Sequence, residues 1–75
     1  MRLGDYLNAR GESARAFATR AGLTERLVQR VRRGDGCNAR AALAIIRASV
    51  SEPTLLGGTV TLEDIVIHDG SRASA

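Results

Sequence analysis

The chain has 75 residues, 44% of them hydrophobic, with one Phe, one Tyr and no Trp, which suits one domain with an aliphatic core and leaves little room for a deep substrate pocket. Cys37 is the only cysteine, so no intrachain disulfide can form, and the longest apolar run, Ala41 to Ile46, is far below membrane-spanning length. The formal charge of +3 is uneven: residues 1–47 hold ten Arg against four acids, a balance of +6, whereas residues 48–75 hold one Arg against four acids, a balance of −3. A basic N-terminal two-thirds suits a polyanion.

Leu3, Tyr6 and Leu7 recur at helical spacing and Gly11 follows as a C-cap, which predicts a first helix over about 2–10 with Tyr6 at the core edge. Ser13 is an N-cap for a second helix over 14–21, whose buried side is Phe17 and Ala18; the small Ala18 permits a close helix crossing. Gly22-Leu23 makes a tight turn, with Leu23 filling the gap between helices, and Thr24 caps a third helix over 25–33 that Gly34 ends. Val28 and Val31 then point inward, leaving Arg26, Gln29, Arg30 and Arg33 outward, while Arg20 reads as a solvated cation. After the loop Gly34 to Cys37, Asn38 caps a fourth helix over 39–50, with Leu43, Ile46 and Val50 as its apolar stripe and Arg47 as a second solvated cation.

Beyond Pro53 the pattern is mixed. Gly57-Gly58 marks a turn, and Thr61 with Asp64 resembles a capping pair for a short helix over 62–67, yet Val60, Leu62, Ile65 and Ile67 also alternate as strands do. The helix is the preferred reading. Leu55, Leu56, Val60, Leu62, Ile65 and Val66 exceed what a tail needs and are expected to supply a dimer surface. His68 to Ala75 reads as a loose tail, and Asp64 with His68 makes no closed metal site. The expected fold class is therefore all-α, four or five helices in one domain over 1–67, with a dimerisation segment at about 54–67. No catalytic cluster, cofactor motif, metal site or small-molecule ligand is apparent, so the chain reads as a binder and not as an enzyme. With a lone cysteine and no export segment, the expected location is the cytoplasm.

Residues 3 to about 66 resemble the Cro/CI-type (XRE-type) helix-turn-helix regulators with a lambda-repressor-like domain. The resemblance rests on Ser13-x-x-x-Phe17-Ala18-x-x-x-Gly22-Leu23-Thr24-x-x-x-Val28-x-x-Val31-x-x-Gly34, in which helix length, turn and cap agree, and on the closing Gly57 to Ile65. It implies that the third helix lies in the major groove of double-stranded DNA, with Glu25, Arg26, Gln29 and Arg30 at base edges. It also implies phosphate contacts from Ser13, Arg15, Thr24, Arg33, Asn38 and Arg40, and a homodimer on an inverted repeat. Two positions depart from the family. Ala14 stands where many members carry a DNA-touching Gln, and Leu27 stands where a small polar residue is common. Glu25 also suits a helix first turn for dipole reasons alone. The implied function is transcriptional repression; the alternatives are an antitoxin that binds operator and toxin, or a helix-turn-helix scaffold turned to protein binding.

Overall fold

In a computed structural model, which describes residues 1–67, the chain folds into four α-helices: α1 (Leu3–Arg10), α2 (Ala14–Ala21), α3 (Glu25–Arg32) and α4 (Ala39–Ser51). All four lie within two residues of the bounds expected from the sequence, because the caps do the work the sequence assigns to them. Ser13, Thr24 and Asn38 each accept a hydrogen bond from the backbone N–H three residues on, at 3.0, 3.1 and 2.8 Å, and so occupy one orphan donor of α2, α3 and α4. At the other end of α2, Gly22 takes φ 74°, which lets its N–H reach Thr19 O and the Leu23 N–H reach Ala18 O at 2.8 Å. The same pair of bonds closes α1 at Gly11 and α3 at Gly34. No helix among the described residues is long and apolar enough to cross a membrane.

The core runs through Leu3, Tyr6, Leu7, Phe17, Ala18, Val28, Val31 and Ile45, with Tyr6 and Phe17 meeting edge to face at 5.7 Å between ring centres. Tyr6 is fully buried, not at the core edge as its hydroxyl suggests; that hydroxyl donates to Glu52 O, which satisfies it inside. The apolar stripe expected on α4 also has to be moved. Ala41, Ala42, Ile45, Ala48 and Ser49 face inward, whereas Leu43 and Val50 are 49% and 59% exposed and only Ile46 of the expected stripe is half-buried against the core. Alanine side chains let α4 lie close against α2, so small residues define the buried face and bulkier ones are left outside.

Ser49 is buried for a reason visible in its partners. Its hydroxyl oxygen accepts from the Val60 N–H at 3.0 Å, and its O–H donates to Ile46 O at 2.8 Å. This single side chain docks the closing segment onto α4.

That segment is neither of the structures the sequence allowed in full. Leu62–Asp64 forms one 3-10 turn with Thr61 and Asp64 as a reciprocal capping box, which bears out the capping pair but shortens the expected helix over 62–67 to three residues. Ile65 is then extended, and Ile67 makes a lone parallel bridge with Cys37, whose N–H donates to Val66 O at 3.0 Å. Three successive β-branched residues after the turn favour that extension. Val60 and Ile65, at 1% and 7% exposure, belong to the monomer's own core and are removed from the expected dimer surface. Leu55, Leu56, Leu62 and Val66 are exposed. The expected tail, His68 to Ala75, lies outside the described residues, and so does any pairing of Asp64 with His68.

Candidate nucleic-acid interface

Helix α3 holds its register through Val28 and Val31, both buried, and through Leu27, half-buried against the core. That register turns the polar positions outward. Glu25, Arg26, Gln29, Arg30 and Arg33 line one shallow, open concavity along the helix, at steps of one and three residues that follow a single helical stripe. Among the described residues, Glu25, Arg26, Gln29 and Arg30 have no side-chain hydrogen-bonding partner, and Arg33 has only a loose pairing with Asp35 at 3.6 Å between exposed groups. Three guanidinium groups on a short helix, without internal carboxylates to neutralise most of them, produce a positive surface with donors pointing away from the protein.

The remaining expected contact residues sit at helix starts. Ser13 and Arg15 are exposed at the beginning of α2, Thr24 at that of α3, and Asn38 and Arg40 at that of α4. They lie outside the α3 concavity. The hydroxyl oxygens of Ser13 and Thr24 are engaged as caps, yet each retains an O–H free to donate, and the positive end of each helix dipole favours an anion nearby.

Both departures from the family pattern acquire a structural explanation. Ala14 is 3% exposed and packs in the core, so the position carries no outward side chain and the neighbouring exposed Arg15 is the one available there. Leu27 packs against the core, which accounts for an apolar residue on a helix otherwise rich in charge. Comparison of the chain with family models, with curated proteins and with solved structures finds no match. The reading of the site therefore rests on its own geometry and chemistry.

Sequence reasoning missed the group that ties α2 to its surroundings. Arg20, expected to be solvated, is mostly buried: its Nε and Nη2 form a two-pronged pair with Glu12 at 3.1 and 2.9 Å, Nη2 also donates to the Tyr6 hydroxyl at 2.9 Å, and Nη1 donates to Ala48 O. Its guanidinium carbon lies 5.1 Å from the Phe17 ring centre. Arg10 adds bonds to Glu12, to Glu52 and to the carbonyls of Glu52 and Pro53. Helix α4 ends at Glu52 without a glycine in the left-handed region, and the side chains of Arg20, Tyr6 and Arg10, together with the Ser51 hydroxyl, donate to carbonyls of its last turn and cap. The hydrogen bonds from Arg20 hold the Glu12 carboxyl below the usual carboxylate range, against the opposing pull of burial, and the same pairing raises Arg20. The one available signal was Glu12 just before the Ser13 cap, with Arg20 two turns further on.

Cys37 is buried beneath the loop before α4, and burial pushes its thiol pKa up, which suits a core residue and not a nucleophile.

Proposed function

We propose that the protein is a sequence-specific regulator that binds double-stranded DNA through α2, the Gly22-Leu23 turn and α3, arranged as the helix-turn-helix of a Cro/CI-type, lambda-repressor-like domain. The observation that carries the proposal is the outward stripe of α3, which concentrates Arg26, Gln29, Arg30 and Arg33 with Glu25 on a rigid support and leaves the first four without firm internal partners. Arg forks onto guanine O6 and N7, Gln pairs with adenine N6 and N7, and Glu accepts from cytosine N4, so the stripe holds donors and acceptors for several base identities. Ser13, Arg15, Thr24, Arg33, Asn38 and Arg40 contact phosphates and fix register. Repression follows from occupying a promoter, with two copies on an inverted repeat about one helical turn apart, and the level of the protein itself sets the response.

The decisive experiment selects binding sites from random duplex DNA at two salt concentrations and then compares wild type with Arg30→Ala on the selected site. A base contact predicts a loss of about 1 to 3 kcal/mol and relaxed preference at one base pair. Equal affinity of the two proteins for that site defeats the assignment of Arg30.

The outward apolar side chains Leu43 and Val50 on α4 favour a second reading, in which the same domain also holds a protein partner, as an antitoxin does. A pure protein-binding module predicts weak, sequence-blind DNA binding and undiminished partner affinity in Arg30→Ala.

A further inference from the structure

The closing segment is tied to residue 1 as well as to α4. The α-amino group of Met1 donates to Thr59 O at 2.8 Å and to Asp64 Oδ2 at 2.9 Å. That same carboxylate oxygen accepts from the Thr61 N–H at 3.0 Å and from the Thr61 hydroxyl at 2.6 Å, so the ammonium is a third donor on the capping box that folds Leu62–Asp64. These donors, the Thr61 hydroxyl foremost, hold the Asp64 carboxyl down at about 2, which keeps it ionised at neutral pH. The Met1 side chain is engaged too: its thioether lies against Gly58, where a Cβ would stand 3.0 Å from Sδ. Residue 1 therefore joins positions 58, 59 and 64, on both sides of the buried Val60.

We infer that the charged α-amino group of Met1 is a latch on residues 61–66, and that neutralising it opens this stretch locally. The latch goes beyond the proposed function and does not depend on DNA recognition. Two acceptors converge on one nitrogen, and an ammonium has donors for both as well as the charge that Asp64 pairs with. An amide at this nitrogen, whether from an acyl cap or from a residue placed before Met1, is neutral and keeps a single N–H, which serves Thr59 O or Asp64 but not both. Asp64 is then left with its bonds from Thr61 alone. The opening stops at Val60, whose N–H stays fastened to the Ser49 hydroxyl at 3.0 Å. On the other side it reaches further, because Val66 O accepts from the Cys37 N–H and the neighbouring Asn38 caps α4. The chemical state of residue 1 is thereby coupled to the helix start that carries Asn38 and Arg40.

Amide hydrogen exchange at one pH tests this on the full chain, prepared with a free and with an acetylated Met1 amine. Acetylation should speed exchange about fivefold or more at Asp64, Ile65 and Cys37, whose N–H groups donate to Thr61 O, Leu62 O and Val66 O, and leave Val28 and Ile45 unchanged. In an Asp64→Asn background acetylation should add less than about twofold, because the charged partner is gone. Glu63→Gln, which neutralises the adjacent exposed carboxylate, should leave the acetylation effect as it is. Equal exchange in the free and acetylated chains overturns the inference. So does acceleration of every amide alike, which marks global destabilisation, and so does an acetylation effect of the same size in Asp64→Asn, which shows that it does not run through this ion pair. None of these readouts involves DNA, so each outcome leaves the regulator reading to its own test.

Discussion

Replacing Arg20 with Met should be among the most damaging single changes away from the apolar core, and the size of the effect follows from its partners. The substitution keeps most of the aliphatic stem over Phe17 and deletes four hydrogen bonds, two of them to the Glu12 carboxylate. Hydrogen bonds to charged groups contribute about 1.5 to 3 kcal/mol each, and removing one member of a buried ion pair costs about 3 to 5 kcal/mol. The Arg20 and Glu12 side chains are 20% and 12% exposed, and Arg10 remains 3.3 Å from Glu12 Oε1, so water and the second guanidinium recover part of the loss. The expected destabilisation is about 3 kcal/mol, equivalent to a fall in Tm of roughly 12 to 24 °C for a domain of this size. Urea unfolding followed by helical circular dichroism measures it directly. Glu12→Met in the Arg20→Met background should restore a large part of the stability, because the orphaned carboxylate is then gone. A loss below about 1 kcal/mol in the single variant, or a double variant as unstable as the sum of its singles, refutes the view that this pair is desolvated and coupled.

Three further outcomes are expected. Arg40→Ala should weaken binding to all duplexes alike and reduce the salt slope by about one, as loss of a phosphate contact requires, whereas a sequence-selective loss would place Arg40 at a base. Glu12 has a lowered pKa in the folded chain, so its contribution to stability is complete above the ordinary carboxylate range and is lost as pH falls through and below it; thermal melts from pH 7 to pH 3 should show a decline that is shallower in Glu12→Gln. Val60→Ala should destabilise by about 2 kcal/mol and Leu62→Ala by less than about 0.5 kcal/mol in urea titrations, since the first side chain is buried and the second is 56% exposed.

Local chemistry was legible in the sequence wherever one residue decides the outcome. Ser13, Thr24 and Asn38 as caps, and Gly11, Gly22 and Gly34 as helix ends, depend only on short-range geometry, and each does in the fold what its type suggests. The facing of α3 was legible too, because Val28 and Val31 are the bulky apolar residues that hold its register. The facing of α4 was not. Its apolar content is spread around the cylinder, and which side is buried depends on how closely α2 approaches, a tertiary quantity that favours alanine over leucine. The Arg20 network was hidden for a related reason: its acceptors come from Glu12, Tyr6 and Ala48, which no local pattern connects. In the closing segment, Val60 meets Ser49 across eleven positions and Ile67 meets Cys37 across thirty, so neither period of the sequence could separate core from surface there.

Two sets of α3 side chains do not overlap: Val28, Val31 and Leu27 pack in or against the core, whereas Glu25, Arg26, Gln29 and Arg30 lie outside it and have no side-chain hydrogen-bonding partner among the described residues. The outward set can therefore be exchanged, several residues at a time, at little expense to folding, while the anchoring set cannot. On the proposed DNA reading, a lineage built on this scaffold would drift rapidly in what it binds and slowly in shape, its members sharing caps, turns and core while having almost nothing in common along the outward stripe.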